Sequence, residues 1–223
     1  MKFENTQVWG FVGALRGMRN PKESWSKNDT SILEDGTPYI GSNDMDLALR
    51  LIKAGPEHRK FLRMIHVQVD ITAPLFWWKE FDKYQVAVVT NSTSTMHKIQ
   101  SKPITLDCFE IDDFQDFECY NSLTKEKSTH KEAFVMPLIA TLESLRQKYN
   151  ETKDVRYWKE LIRWLPESWL QTRTVDINYE TLQAICSQRR THKLTEWRKS
   201  FIEWARQLPY AQEFLFTDEL AIN

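Results

Sequence analysis

Residues 60–72 read KFLRMIHVQVDIT. Phe61, Arg63, Ile65, Val67 and Val69 alternate with Leu62, Met64, His66, Gln68 and Asp70. A two-residue period with this β-branched content predicts a strand with one apolar face. Such a face must be covered, so the chain has to build a sheet and lay other elements on it. The opposite face turns polar, with His66, Gln68 and Asp70 in a row. These three either bond to one another and to neighbouring strands, or wall a pocket.

The covering layer is written as helices. From Asn43 onward Leu47, Leu51 and Ala54 form a helical stripe flanked by Ala48 and Ile52; Asn43 or Asp44 caps its start and Gly55-Pro56 stops it. After the strand, PLFWWKEFDKY opens a helix at Pro74 and places Phe76, Trp77, Phe81 and Tyr84 toward a core. Thr129 and Glu132 form a capping box for a helix with Phe134, Leu138, Leu142, Leu145 and Tyr149 on one side, bent at Pro137. A second helix covers 154–165, and a third starts near Asn178 and buries Leu182, Ile185 and Cys186. The last carries Leu194, Trp197, Phe201, Trp204 and Leu208, a stripe that serves a core or a seam with another subunit. The polar stretch QTRTVDINYE lies between the second and third helices. The expected organisation is one α+β domain over 1–223. It has an irregular segment at 1–42, a strand-helix-loop unit at 43–128 and a helical part at 129–210. In the first segment GMRNPKESWSKNDT is a loop, either a surface connection or a ligand cover with Trp25 as a stacking face.

Composition narrows the chemistry. Nine Trp and twelve Phe in 223 residues imply large buried surfaces or an oligomer interface. Six Gly, with no GxGxxG or GxxxxGK[ST], argue against a glycine-rich phosphate loop. A net charge of −1 argues against nucleic-acid binding driven by bulk electrostatics. Cys108, Cys119 and Cys186 are too few and scattered for a disulfide framework or zinc site. The acidic run 107–118 lacks His or Cys at ligand spacing and reads as a surface segment, not a metal site. No stretch approaches the ~18 apolar residues of a membrane span. The start, MKFENTQVWG, lacks the apolar run of a signal peptide. The expected location is the cytoplasm.

One short stretch is unusual. In VVTNSTSTMHK, Thr90 to Thr95 hold five hydroxyls and one amide directly after an apolar run. Such a cluster is either a polar turn that satisfies its own backbone or a cradle for phosphate or sugar oxygens.

The order of motifs resembles the flavin-dependent thymidylate synthase family. GPEH precedes the strand, an aromatic helix follows it, and then the hydroxyl-rich loop. Further on come Leu165-Pro166, Thr174, Asn178, Arg189 or Arg190, Glu196 and Arg198 in the family's order, so the resemblance spans 43–210. It implies a central antiparallel sheet flanked by helices, and a homotetramer with sites at subunit boundaries. It also implies FAD as cofactor and conversion of dUMP to dTMP. The family signature is RHRxxSxNExSxR. Anchored on Asn91, its RHR falls on Tyr84, Gln85 and Val86, its second Ser on Ser94 and its final Arg on Met96, with His97 and Lys98 following. The Asn-x-Arg position reads Asn178-Tyr179-Glu180, where a carboxylate opposes a nucleotide phosphate. What the resemblance then implies is a divergent protein that binds a nucleotide-like small molecule, with dUMP methylation lost. Sequestering a nucleotide signal is one role open to it. Asn91, Ser92, Ser94, Thr95, His97 and Lys98 are the loop candidates. Arg173, Arg189, Arg190 and Arg198 are replacement cations, and Trp25 or Trp77 stacks on a base. An FAD-dependent enzyme with a rearranged site, and a structural oligomer without ligand, are the alternatives. No membrane or nucleic-acid partner is expected.

Overall fold

In the computed structural model, which describes residues 1–121 and 124–219, the alternating run divides in two. Lys60–Met64 winds into a 3-10 helix, and the strand begins at His66. Phe61 and Leu62 are both buried. Adjacent strand residues point to opposite faces, so only a helical turn buries both on one side.

In chain order the elements are β1 (Lys2–Trp9), α1 (Phe11–Gly17), β2 (Ser31–Ile32), β3 (Pro38–Tyr39), α2 (Ser42–Ala54), β4 (His66–Pro74), α3 (Leu75–Phe81) and β5 (Val89–Ser92). Then follow β6 (Glu118–Asn121), β7 (Glu126–Thr129), α4 (Met136–Thr152), α5 (Val155–Arg163), β8 (Leu170–Asn178), α6 (Tyr179–Arg189), α7 (Ile202–Ala205) and α8 (Ala211–Phe214). The main sheet is antiparallel, flanked by helices, with strand order β1-β4-β8-β5. β2 pairs with β3 and β6 with β7, both antiparallel.

Two expectations are corrected. The segment 1–42 is not irregular throughout, since it supplies β1 and α1. The part at 129–210 is not helical throughout, since the polar stretch after Leu170, which does lie between two helices, forms the inner strand β8. On β8 only Gln171, Val175, Ile177 and Asn178 are buried, so its alternation is half polar and hides the strand period. The buried stripe of α2 is Asp44, Ala48 and Ile52, one position off the Leu47/Leu51 stripe. Pro137 falls where a π-helical turn at Lys131–Val135 runs into α4, and its missing N–H lies at that join. The capping box forms as expected: the Thr129 hydroxyl accepts from Glu132 N at 3.2 Å.

The chain forms two compact units. The first comprises Met1–Ile71, Asp82–Asn91 and Arg173 onward; the second comprises Thr72–Phe81 and Ser92–Thr172. In the first, Val67, Val69 and Ile71 of β4 are buried. So are Leu182, Ile185 and Cys186 of α6, and Trp197 and Phe201 after it, which makes the last aromatic stripe core within the chain. Phe11 meets Tyr179 edge-on at 5.6 Å, and Phe61 meets Phe214 at 5.9 Å. The polar side of β4 is paired rather than open. His66 Nδ1 lies 2.9 Å from Asp176, and Gln68 donates to the same carboxylate at 2.9 Å. Asp70 accepts from Thr174 and Asn5 at 2.6 and 2.8 Å, and those bonds hold its carboxyl below its ordinary value.

The loop 19–30 folds around one carboxylate. Asp44, fully buried, accepts from Arg19 Nε at 2.6 Å, Asn28 at 2.6 Å, the Thr30 hydroxyl at 2.6 Å and Asp29 N at 2.9 Å. Asp29 in turn caps α2 through the backbone N–H groups of Asn43 and Asp44, each at 2.9 Å. The capping role expected of Asn43 or Asp44 therefore falls to Asp29.

In the second unit Ile99, Ile104, Phe109, Ile139, Leu142 and Leu161 form one core. Trp77, Trp78 and Phe81 of α3 are buried, while Phe76 is half-buried. Glu143 fastens the segment 99–104 to α4. It accepts from Ile104 N at 2.8 Å and from Arg146 at 2.7 and 2.6 Å, and Arg146 donates to Gln100 O at 3.1 Å. The guanidinium of Arg146, more than the opposing cost of burial, holds the Glu143 carboxyl at about 2. A depressed folded-state value adds stability that is full above the unfolded value near 4.5 and disappears as pH falls toward 2. Glu143→Gln is expected to lose about 2 kcal/mol at neutral pH, after allowance for screening at its open side. The gap to the parent in urea unfolding should close progressively between about pH 5 and pH 2, the window set by the unfolded and folded values; a constant gap would rule out the ion pair as its source.

Candidate functional site

The hydroxyl-rich stretch gives both answers to its own question. In the second unit Ser94 closes a turn: its Oγ accepts from Met96 N at 3.1 Å and His97 N at 2.9 Å, and lies 3.0 Å from His97 Nδ1. Thr93 N donates to Thr172 O at 2.9 Å, and Gln171 Nε2 to Thr93 O at 2.7 Å. Those groups satisfy the local backbone. Ser92, His97 and Lys98 are exposed and Thr95 is half-buried. Asn91, on the edge strand β5, is exposed in the first unit.

The candidate cations sit in different surroundings within the first unit. Arg173 pairs with Asp82 at 2.6 Å, and Arg190 pairs with Asp218. Arg189 donates to the Tyr84 hydroxyl at 2.8 Å and lies 4.9 Å from the centre of the Trp197 ring. The Tyr84 hydroxyl in turn donates a hydrogen bond to Gln188 Oε1 at 3.0 Å. Arg198 is exposed on the π-helical turn Glu196–Phe201. Trp25 is 44% exposed, and its indole N–H donates to Asn20 at 2.8 Å.

Glu180 is the larger surprise. Its carboxylate pairs with Arg63 and lies 3.5 Å from Arg59 Nε. Two guanidiniums facing one carboxylate leave surplus positive charge. The repulsion toward a phosphate expected at this position is therefore cancelled locally.

Beside Arg59 the first unit holds a cavity of about 280 Å³, lined among others by Gln183, Ser187, Gln188, Thr217 and Asp218. None of these stood among the candidates from sequence, although Arg190, which pairs with Asp218, did. One signal was present: Gln183 falls on the apolar side of its helix, beside Leu182, Ile185 and Cys186. A glutamine there must be bonded or waiting for a partner.

No protein-family model matches the sequence, and no curated protein does. Solved structures do match. A crystal structure of the flavin-dependent thymidylate synthase ThyX from Helicobacter pylori complexed with FAD and dUMP has a TM-score of 0.66 at 18% identity. It covers 98% of this chain and 99% of its own. A second structure of thymidylate synthase X from the same organism, with FAD and dUMP, has a TM-score of 0.67 at 17% identity and 98% coverage of both chains. The fold is that of the flavin-dependent thymidylate synthases, and at this identity the likeness is one of fold.

The positions that the register anchored on Asn91 sets against the family's RHR carry no cation. Tyr84 is engaged with Arg189, Gln85 is exposed and Val86 is 71% exposed, so none supplies a cation. Among the described residues, no helix is long and apolar enough to cross a membrane.

Proposed function

We propose that the protein binds a nucleotide or nucleotide-derived small molecule on a thymidylate synthase-like scaffold, with methylation of dUMP lost. The observation that carries this reading is the fold correspondence along nearly the whole chain with enzymes solved in complex with FAD and dUMP. The surplus charge of Arg59 and Arg63 over Glu180 supports an anionic ligand. The uncharged residues at Tyr84, Gln85 and Val86 favour loss of the flavin reaction. The loop residues Asn91, Ser92, Ser94, Thr95, His97 and Lys98 and the cations Arg173, Arg189, Arg190 and Arg198 remain candidates within this reading. The working form is a homo-oligomer, a tetramer as the resemblance implies, in the cytoplasm. Exposed Val86, Val89 and Trp9 of the first unit and Trp164 of the second supply apolar surface for assembly.

The test is the absorption spectrum of the purified protein, followed by denaturation and mass spectrometry of what is released. The expected result is a colourless protein that releases or takes up a nucleotide. A flavin band, with FAD released, would instead favour an enzyme with a rearranged site. Failure to bind any nucleotide or flavin would leave a structural oligomer.

A further inference from the structure

The second unit carries a stack of rings at its surface. The His130 ring lies 4.8 Å from that of Phe117, 5.6 Å from Phe134 and 5.7 Å from Phe114, each pair within 20° of parallel. Phe117 and Phe134 are 56% and 58% exposed. Ile111, 39% exposed, lines a small depression of about 20 Å³ with Phe114, Lys131 and Val135. Apolar side chains scattered singly over a surface are ordinary, but rings gathered on one another and left open mark a contact face. Phe134 heads the stripe expected to face the core, and Leu142 further along that stripe is buried. Phe134 falls instead in the π-helical turn Lys131–Val135, whose i→i+5 bonds rotate it out of line with α4.

The backbone holds this face in place. His130 N donates to Phe117 O at 2.8 Å, and Lys131 N donates to Asp116 at 2.9 Å. The hairpin β6–β7 joins the two segments. A preformed face loses little freedom when a partner binds.

Charge narrows the partner. Residues 107–132 carry eight carboxylates against three lysines, in a chain of net charge −1. Within 107–118 six carboxylates, with no Lys or Arg, are interleaved with Phe109, Ile111, Phe114 and Phe117. One of the three lysines, Lys127, pairs with Glu118 at 2.8 Å. This field disfavours nucleic acid and anionic lipid. It also disfavours a two-fold contact of the face with itself, which would set carboxylates against carboxylates. A cationic polypeptide with apolar side chains satisfies both the rings and the charge.

We propose that this face docks a basic segment of a partner protein. One or two apolar side chains of that segment seat on the Phe117–His130–Phe134 stack and in the depression at Ile111. Flanking lysines or arginines face the carboxylates of 107–118.

The probe is a random peptide library displayed on phage, selected against the full-length protein and depleted on Phe117→Ser/Phe134→Ser. Both positions are more than half exposed, and a parent-like melting curve checks that the variant folds. The expected products are peptides rich in lysine or arginine with a leucine or aromatic anchor. Made synthetically, they should bind the double variant about tenfold more weakly, the scale of losing aromatic anchors. Asp112→Asn/Asp113→Asn should weaken them about threefold, by an amount that shrinks as salt is raised. Hydrogen exchange on the unmodified protein should show protection by the peptide at 111–118 and 130–134, a readout that needs no variant. Protection elsewhere would overturn the proposal. So would a selection that yields only acidic or neutral peptides, or none that separates the two proteins. If the double variant also sediments as a smaller assembly, a second copy covers the face instead, and the proposal fails.

Discussion

Asp44→Ala is expected to cost about 3–5 kcal/mol of folding stability, the scale for breaking a buried ion pair by removing one partner. Asp44 is fully buried and Arg19 is 4% exposed. Truncating the carboxylate strands the guanidinium, whose Nη2 already lacks a hydrogen-bond partner. It also strips acceptors from Asn28, Thr30 and the Asp29 backbone at once. The urea midpoint should fall steeply. Asp44→Asn keeps the shape but not the charge, and should fall between the two. The informative control is Arg19→Met combined with Asp44→Leu. If the loss comes from a stranded charge, the double variant recovers a large part of it, because both charges leave together. A double variant as unstable as Asp44→Ala would mean that the loop 19–30 is held by the bonds from Asn28 and Thr30 rather than by the ion pair.

That cluster also marks the limit of what the sequence discloses. The period of Val67, Val69 and Ile71 identifies β4 because one face is wholly apolar, and the 3-4 stripe of Trp197, Phe201 and Trp204 identifies the helical stretch 196–205 for the same reason. Thr129 and Glu132 are legible because capping acts over three residues. Asp44 looks like a helix cap because its role depends on Arg19, twenty-five positions away, and local patterns do not carry that distance. β8 is hidden because its polar face bonds to β4 instead of facing a core, as Asp176 does with His66 and Gln68. The candidate site divides the same way. The turn at Ser94 is readable from its hydroxyls. The charge balance at Glu180 requires Arg59 and Arg63 from the far side of the sequence. Gln183 lay in view as a polar residue on an apolar side, but its unpaired oxygen is visible only once Phe214 has claimed its nitrogen.

Gly10→Ala is expected to destabilise the protein by about 3 kcal/mol or more, for two reasons that add. Gly10 has φ +99°, a conformation that L side chains adopt only with strain of about 1–3 kcal/mol. A methyl group there would also lie 2.1 Å from Met64 O. That oxygen is backbone and cannot rotate aside. It sits where the 3-10 helix passes into β4, beside Ile65, which is fully buried and whose carbonyl accepts from Tyr179 N at 3.0 Å. Moving Met64 O to admit the methyl group would therefore disturb the start of β4 and of α6 together. For a chain of this length a loss of that size lowers the melting temperature by roughly 6–12 °C. Gly13→Ala is the matched control. It lies inside α1 with nothing within 4 Å of an added methyl group, and should gain about 0.5–1 kcal/mol from helix propensity alone. Opposite shifts from two alanines three residues apart would separate close backbone approach from any general intolerance of α1 to substitution. If Gly10→Ala melts with the parent, the approach of Met64 to the start of α1 is looser than 2.1 Å implies, and the junction of α1, β4 and α6 is not the rigid point on which this unit is built.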